Sequence, residues 1–187
     1  MNIILASQSP RRRELMEKLH IPFTVRVADI DETPDPHLTV REDLMRISRK
    51  KAEAIAHEPD DIVIAADTMV VLDGEELGKP KNRADAKNML TRLSGRSHQV
   101  MTGLTVLQGT RCVAHTEVTD VFFRPLTEKE IDDYVASGDC DDKAGAYGIQ
   151  SGAAPFVEKI HGDYYNVVGL PVCRLSLLLK EFMEVSK

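Results

Sequence analysis

The heptapeptide Asp61-Ile-Val-Ile-Ala-Ala-Asp67 predicts the centre of the fold. Its central residues, 62 to 66, form the longest strictly apolar run in the chain. A short continuous apolar run is typical of a strand that is buried on both faces of a sheet. We therefore predict a buried strand that ends at Asp67, with the Asp67 carboxylate at its carboxyl-terminal tip.

Strand and helix signals alternate on both sides of this strand. Before it, the sequence predicts strands at 2–6 and 23–27, a helix at 11–20 that begins after Pro10, an acidic loop at 28–38, and a helix from a capping box at Thr39 to about His57. After it, the sequence predicts a hairpin at 69–77 with an Asp-Gly turn, a helix at 82–93, antiparallel strands at 98–107 and 112–123, a helix at 127–137, a glycine-rich loop at 144–150, a strand at 156–160 and a helix at 170–185. We therefore predict an α/β fold with a mixed, partly antiparallel central sheet flanked by helices, in a single domain over 1–187.

The charge balance of the chain limits its partners. Of its 187 residues, 24 are Lys or Arg and 30 are Asp or Glu, which gives a net charge of −6. Proteins that bind the nucleic-acid backbone usually carry a basic surplus, so this balance disfavours DNA or RNA as a stable partner. A local basic patch remains compatible with it.

Cysteine usage and the N-terminus predict a compartment. The three cysteines are widely spaced and form no C-x-x-C motif, which disfavours both a disulfide framework and a zinc ribbon. No apolar run approaches the roughly 18 residues that span a bilayer, so we predict no membrane partner. Apolar residues precede basic ones at the N-terminus, the reverse of a signal peptide. We expect a cytoplasmic protein that is full length as written.

The segment Ser7-Gln8-Ser9-Pro10-Arg11-Arg12-Arg13 is the first candidate site. It places three arginines at a predicted helix N-terminus, where the helix dipole favours acids instead. A bound anion would compensate this arrangement, since hydroxyls, backbone N–H groups and guanidinium groups all bind phosphate. The alternatives are a solvated basic face and a DNA-reading helix, and the net charge weakens the second.

Two acidic segments form the second candidate. Asp67 precedes Thr68 at the end of the predicted strand, where ligands of open α/β sheets bind, and its carboxylate suits a metal or a general base. Asp29-Ile-Asp31-Glu32 lies in the acidic loop and suits Mg²⁺, which prefers one or two carboxylates. The alternatives are a turn-forming aspartate and a solvated acidic loop.

The remaining candidates are two lysines and a glycine-rich loop. Lys51 lies in a predicted helix and Lys79 lies in Gly78-Lys79-Pro80, and each lysine alone would ordinarily be solvent-exposed. The loop Lys143-Ala-Gly-Ala-Tyr-Gly-Ile-Gln150 lets backbone approach a ligand, and Gln150 offers both a donor and an acceptor. A purely structural loop is the alternative. The six histidines show no metal-ligand spacing, so we expect most of them at the surface or in packing roles.

Taken together, these segments resemble the Maf family of nucleoside triphosphate pyrophosphatases. The resemblance runs from Asn2 to the Gly169-Leu170-Pro171 segment. It rests on seven segments in register: LASQSPRRRELM at 5–16, Asp31-Glu32, Lys51, AADT at 65–68, GKP at 78–80, LSGRSHQVMTG at 93–103, and KAGAYGIQ at 143–150. One smaller difference is Ser48, where the family usually has alanine, and we expect it to affect packing only.

The resemblance implies both a shape and an activity. It implies an elongated, two-lobed α/β fold with a cleft between the lobes, a homodimer, and a divalent metal, Mg²⁺ or Mn²⁺. It also implies cleavage between the α and β phosphates of a nucleoside triphosphate. Within the family, Arg12, Thr68 and Gln150 resemble the specificity residues of the branch that acts on dTTP and UTP. Maf proteins are further linked to septum formation and division arrest.

We predict the following roles for these residues. Arg11, Lys51 and Lys79 would neutralise the triphosphate, and a metal would lie near Glu32 and Asp67. The hydroxyls of Ser7 and Ser9 would donate hydrogen bonds to the substrate. Asp67 would orient and deprotonate the attacking water, or bind the metal, or both. Since an ordinary aspartate is a weak base, the metal would share the task by acidifying the water.

The pyrimidine base explains the proposed specificity residues. Arg12 can donate to a carbonyl oxygen, and Gln150 can accept from N3–H and donate to O4 of uracil or thymine. Cytosine would leave such groups unpaired, whereas thymine and uracil differ by one methyl and should be poorly discriminated. Two alternatives stay open: a non-catalytic nucleotide- or nucleic-acid-binding regulator of septum formation, and a house-cleaning pyrophosphatase for purine or methylated nucleotides.

Overall fold

The computed structural model describes residues 1–27, 29–55 and 57–184. Within these residues the chain forms seven strands and six α-helices. In chain order they are β1 (Ile3–Ala6), α1 (Pro10–Glu17), β2 (Thr24–Arg26), α2 (Val40–Glu53), β3 (Ile62–Leu72), β4 (Glu75–Leu77), α3 (Arg83–Leu93), β5 (Ser97–Gln108), β6 (Arg111–Phe123), α4 (Glu128–Ser137), β7 (Val157–His161), α5 (Tyr164–Val168) and α6 (Val172–Glu184).

All seven strands belong to one mixed sheet. Its order is β2-β1-β3-β5-β6-β7, and β4 pairs with β3 outside this path. β1 runs parallel to β2 and to β3, whereas β4 is antiparallel to β3 and β7 is antiparallel to β6. The predicted α/β class with a mixed, partly antiparallel sheet is therefore confirmed.

The described chain divides into two compact units. The first unit comprises 1–67, 102–117 and 169–187, and the second comprises 68–101 and 118–168. Strands β3, β5 and β6 each contribute residues to both units. The single domain over 1–187, the elongated shape and the interlobe cleft all stay predictions. No described helix has the length and apolar character needed to cross a membrane.

The first unit is built on β1, on the parallel start of β3 and on α2. Apolar side chains from these elements, together with Ile55 after α2 and Leu107 of β5, form one buried cluster, whose other members are Ile4, Ala6, Ala52, Val63 and Ala65. The predicted capping box begins α2: Thr39 Oγ1 accepts from Glu42 N at 3.3 Å, and Glu42 Oε2 accepts from Thr39 N at 2.8 Å. Ser48 on α2 is buried, and its hydroxyl lies 2.8 Å from that of Thr105, so this residue makes hydrogen bonds as well as packing contacts.

The second unit has its own core and its own local signals. Its buried cluster draws on β3, α3, β5, β6 and α4, with Leu90, Leu93 and Phe123 among the members. Asp73 and Gly74 both have positive φ, 53° and 82°, as the predicted two-residue hairpin turn requires. Asn82 caps α3, a Thr127 capping box begins α4, and the left-handed Gly138 ends it.

The predicted end of the central strand is wrong. β3 continues through Asp67 to Leu72, so Asp67 lies within a strand and not at its tip. This strand joins the predicted strand to the first strand of the predicted hairpin: it pairs with β1 up to Ile64 and with β4 from Val70, and it is also hydrogen-bonded to β5. No glycine or proline interrupts it. Since β1 ends at Ala6, Asp67 still lies beyond the carboxyl end of the strand parallel to it.

The other differences concern helices. α2 ends at Glu53 and not at the predicted His57. The ring nitrogen Nδ1 of His57 lies 2.6 Å from the carbonyl oxygen of Ile55, within hydrogen-bond distance. The sequence patterns do not predict α5, whose buried Asn166 donates to Val100 O and Thr119 Oγ1, two acceptors that are distant in the sequence. α6 begins after Pro171. Ala28 of the predicted loop, Ala56 of the predicted second helix and Val185 of the last helix lie outside the described residues.

Candidate functional site

The loop after β1 brings two hydroxyls to the start of α1. Ser9 is the N-cap, with its side chain accepting from Arg12 N at 3.4 Å, and Ser7 Oγ accepts from Ser9 N at 3.1 Å. Pro10 follows the cap at the first helical position. Because both hydroxyl oxygens accept locally, their protons point elsewhere and are suited to donate to an anion. No acidic residue lies in the first turn of α1.

Of the three arginines of α1, Arg11 and Arg12 are half-buried and Arg13 is exposed. Arg13 is exposed and pairs with Glu17 one turn later at 3.4 Å, so this side chain belongs to a solvated face. Arg12 is half-buried, and its Nε donates to Gly169 O at 2.8 Å. Burial lowers the pKa of the Arg12 guanidinium, and the Asp67 carboxylate acts in the opposite direction. Arg12 is therefore anchored, and it stays charged because a guanidinium does not lose its proton in proteins.

Lys51 joins two of the predicted acids. Its Nζ donates to Asp67 Oδ1 at 2.7 Å and to Glu32 Oε2 at 2.9 Å. The side chain of Lys51 is 11% exposed and that of Asp67 16%, whereas that of Glu32 is 53% exposed. This partial burial strengthens the ion pair between Lys51 and Asp67 relative to surface pairs, whereas solvent screens the pair between Lys51 and Glu32. The structure thus brings together residues from the acidic loop, α2 and β3 in the first unit.

Asp31, the neighbour of Glu32, has a local role instead. Its Oδ1 accepts from Thr33 N at 2.9 Å and from Thr33 Oγ1 at 2.6 Å. The hydrogen bond from the Thr33 hydroxyl, followed by that from its amide, lowers the pKa of Asp31. Of the predicted acid pair, only Glu32 takes part in the Lys51 cluster, and Asp31 closes a turn of the loop.

The carboxylates of Glu32 and Asp67 fit a hard divalent cation. Each has an oxygen within 3 Å of the Lys51 ammonium, so each already faces a cationic group. No group of three or more His, Cys, Asp or Glu side chains suited to a metal occurs among the described residues. Two carboxylates are nevertheless enough for Mg²⁺, which takes its other ligands from water and substrate phosphates. The donor set therefore suits Mg²⁺ or Mn²⁺ and not a thiolate-bound metal.

The second unit holds the glycine-rich loop beside the Gly78-Lys79-Pro80 segment. Gly145 N donates to Gly78 O at 3.0 Å. Gly145 has a φ of 67°, and a Cβ there would lie 2.8 Å from a methyl of Val70, so glycine is needed for this approach. Lys79 and Gln150 are both exposed, which leaves their side chains accessible to a ligand.

A buried histidine supports the same loop. His98 Nε2 lies 2.7 Å from Tyr147 Oη, and the two rings meet edge to face with Phe123. His98 is 3% exposed, in agreement with the predicted packing role for most histidines. Sequence reasoning did not connect His98 with the glycine-rich loop, because 49 residues separate it from Tyr147 and a single histidine gives no distinguishing signal.

Comparison with known proteins assigns the family. A profile of the Maf-like protein family matches residues 2–182. The chain belongs to the Maf family. A dTTP/UTP pyrophosphatase of Bacillus anthracis is 48% identical to this Maf chain over 181 residues, which cover 96% of this chain and 95% of that protein. A dTTP/UTP pyrophosphatase of Symbiobacterium thermophilum is 49% identical over 181 residues, which cover 96% and 93%.

A solved structure shares the Maf chain's fold at low sequence identity. A HAM1 protein from Coxiella burnetii aligns with a TM-score of 0.53 and 17% identity, over 97% of this chain and 99% of that one. At this identity the likeness concerns the fold alone.

The predicted site residues of this Maf chain fall in both units. The first unit contains Ser7, Ser9, Arg11, Arg12, Glu32, Lys51 and Asp67, and the second contains Thr68, Lys79 and Gln150. Asp67 and Thr68 are consecutive residues of β3, so the chain passes from one set to the other along one strand. That both sets bind one substrate molecule stays a prediction.

Proposed function

We propose that this protein is a nucleoside triphosphate pyrophosphatase that hydrolyses dTTP and UTP to the nucleoside monophosphate and pyrophosphate. The observation that carries the proposal is the partly buried ion pair between Lys51 Nζ and Asp67 Oδ1, at 2.7 Å. It places an acid that can take a proton next to a cation that can bind phosphate. The family's curated relatives support the choice of substrate.

Phosphate binding is assigned to the basic and hydroxyl side chains. A triphosphate carries about four negative charges at neutral pH, and an acidic protein must neutralise them locally. We assign this role to Arg11 and Lys51 of the first unit and to Lys79 of the second. Ser7 and Ser9 add hydroxyl donors beside the N-terminus of α1, where backbone N–H groups also favour an anion.

Proton transfer is assigned to Asp67. Lys51 engages Oδ1, so the second carboxylate oxygen is the one that accepts a proton from the attacking water. The water oxygen forms a bond to the α-phosphorus, the bond from that phosphorus to the bridging oxygen breaks, and pyrophosphate leaves with the electron pair. Glu32 and Asp67 would hold the divalent cation, which when bound supplies Lewis acidity and neutralises phosphate charge.

Base recognition is assigned to Arg12, Thr68 and Gln150. We assign the guanidinium of Arg12, whose Nε donates to Gly169 O, as a donor to a base carbonyl. The Gln150 carboxamide matches N3–H and O4 of uracil and thymine. The methyl group of thymine is worth only about 1–3 kcal/mol in a pocket, so UTP and dTTP should both be substrates.

The reaction is tested by measuring pyrophosphate and phosphate release from a panel of normal and modified nucleoside triphosphates with Mg²⁺ or Mn²⁺. We expect pyrophosphate from dTTP and UTP. Asp67→Asn should lower kcat by about 10²–10⁴-fold, because the amide cannot take the proton. Glu53→Gln is the matched control, since Glu53 is an exposed acid on the same helix as Lys51 and pairs with Arg49 instead. Absence of release from every nucleotide would favour the non-catalytic regulator.

The base assignment is tested separately with Gln150→Ala. We expect the preference for UTP over CTP to fall by about 10-fold or more, because the variant removes the group that pairs with N3–H. The ratio of kcat/KM for the two nucleotides is the measurement. An unchanged ratio would contradict the assignment of Gln150 to base recognition. It would favour the alternative function, a house-cleaning pyrophosphatase that acts on purine or methylated nucleotides.

Assembly and location follow from the family resemblance. We propose a homodimer that acts in the cytoplasm, with nucleoside triphosphates as its partners and no stable association with nucleic acid or membrane. Sedimentation velocity of the purified protein and fractionation of cells test the first two statements.

A further inference from the structure

One carboxylate in the second unit accepts hydrogen bonds from the residues that follow Gln150. Asp139 Oδ2 accepts from Ser151 Oγ at 2.7 Å and from Gly152 N at 3.2 Å. The same oxygen accepts from Tyr134 Oη at 2.8 Å. Because Ser151 and Gly152 directly follow Gln150, this carboxylate holds the chain on the C-terminal side of the proposed base-reading residue.

The N-terminal side of Gln150 is linked to the same carboxylate through Tyr134. Gly148 N donates to Tyr134 Oη at 3.1 Å, and that hydroxyl donates its own proton to Asp139. The approach is close: a Cβ at Gly152 would lie 2.9 Å from the Tyr134 ring. Asp139 thus accepts hydrogen bonds directly from residues 151 and 152, and it is linked to residue 148 through the Tyr134 hydroxyl. Gln150 is exposed and lies between these residues in the sequence.

The chemistry of the contacts requires an ionised acid. All three groups at Oδ2 are donors, and Lys143 Nζ donates to Oδ1 at 3.2 Å. Burial acts to raise the pKa of Asp139, but hydrogen bonds from Ser151, Tyr134 and Lys143 outweigh it, and the pKa is lowered. Only a carboxylate accepts at both oxygens, whereas an amide would turn an NH₂ group toward a donor.

We propose that Asp139 is a positioning residue that fixes the 148–152 segment around Gln150 and thereby contributes to selectivity for the base. The proposal rests on the proposed function, in which Gln150 reads the pyrimidine. A loop held at three backbone or side-chain points presents its carboxamide in one orientation, and the discrimination between uracil and cytosine depends on that orientation.

The test compares Asp139→Asn with Asp142→Asn. Asp142 Oδ1 also contacts Lys143 Nζ, at 2.9 Å, but its side chain is exposed, so it serves as a second acid that pairs with the same lysine. We measure kcat and KM for UTP, dTTP and CTP, together with the melting temperature. Asp139→Asn should raise KM for UTP and lower the UTP-to-CTP ratio of kcat/KM by about 10-fold, with a smaller change in kcat. Asp142→Asn should retain the wild-type ratio.

The outcomes separate this proposal from the proposed function. If the wild type releases pyrophosphate from UTP and Asp139→Asn lowers kcat/KM equally for all three nucleotides, Asp139 is merely structural and the proposal is overturned. Where Asp139→Asn does not fold, Ser151→Ala removes one donor to Oδ2 and should lower the UTP-to-CTP ratio in the same direction. An unchanged ratio in a folded Ser151→Ala protein overturns the proposal as well. A wild type without activity on any nucleotide overturns the proposed function first.

Discussion

At the scale of the residue, His98 shows how burial controls a titratable side chain. The imidazole is buried beside Tyr147 and Phe123, and burial lowers the pKa of His98 to about 4. Its Nδ1 has no hydrogen-bond partner among the described residues. His98 is therefore neutral at pH 7, and one of its nitrogens pairs with the Tyr147 hydroxyl of the glycine-rich loop.

This pKa predicts a loss of stability in mild acid. The folded-state pKa of about 4 lies below the ordinary value of 6.5, so the unfolded chain takes up the proton first. The contribution of neutral His98 to the free energy of unfolding is fully present above pH 6.5 and is lost as the pH falls toward 4. Between pH 7 and pH 5 the wild type should lose about 2 kcal/mol of unfolding free energy through this residue. Urea denaturation at both pH values measures it.

His98→Asn serves as the reference for that measurement, because it removes the titrating group. Its unfolding free energy at pH 7 should be lower than that of the wild type, since a buried hydrogen bond and packing are lost. Its decrease between pH 7 and pH 5 should be smaller by about 2 kcal/mol. An equal decrease in both proteins would show that His98 takes up its proton in the folded state.

At the scale of the element, α2 is placed by a close approach to β5. A Cβ at Gly103 of β5 would lie 2.3 Å from the Leu44 carbonyl oxygen of α2, so only glycine permits this distance. Both residues belong to the first unit. α2 in turn carries Lys51, whose ammonium reaches Glu32 and Asp67. The position of the proposed catalytic cluster therefore depends on a residue that does not contact it.

Gly103→Ala should push α2 away from the sheet. We expect a loss of about 1–3 kcal/mol of unfolding free energy, which is typical of overpacking, together with reduced activity through a displaced Lys51. Chemical denaturation measures the first effect. Gly78→Ala is the control for stability, because no atom lies within 4 Å of a Cβ at that position. Equal free energies of unfolding for the wild type and Gly103→Ala would contradict this prediction, because α2 would then accommodate the added methyl group with no loss of stability.

At the scale of the whole molecule, the net charge of −6 opposes an anionic polymer. The chain also has a pI near 5.5, so at pH 7 a nucleic-acid backbone meets a repulsive average field. The arginines of α1 form a local positive charge within this acidic protein. A charge of this size is suited to a small anion and less suited to a DNA duplex. Exposed Arg13 is paired with Glu17, which reduces the positive surface available to a long phosphate backbone.

We therefore expect no functional affinity for DNA. Binding to a labelled duplex of about 20 base pairs in 150 mM salt should be weaker than about 10⁻⁴ M, the weak end of ordinary non-specific binding. Fluorescence anisotropy measures it, and UTP turnover by the same preparation shows that the protein is folded. Micromolar binding to DNA would instead support the nucleic-acid-binding regulator.

Features that depend on neighbouring residues could be predicted from the amino-acid sequence. The capping boxes at Thr39 and Thr127 and the turn at Asp73-Gly74 are present as predicted. Each is encoded within four residues, because a cap or a tight turn is closed by hydrogen bonds and backbone angles of consecutive positions. The identities of the candidate site residues came from such short segments and from the family resemblance they carry.

Contacts between groups that are distant in the sequence became visible with the folded chain. The predicted strand that ends at Asp67 and the first strand of the predicted hairpin at 69–77 form one continuous strand, β3, and the separate local signals do not specify that continuity. Glu32 reaches Lys51 whereas Asp31 does not, and Arg12 is anchored by Gly169, 157 residues away. The physical reason is that side-chain pairing over such separations depends on strand register and helix placement, which the packing of the whole chain determines.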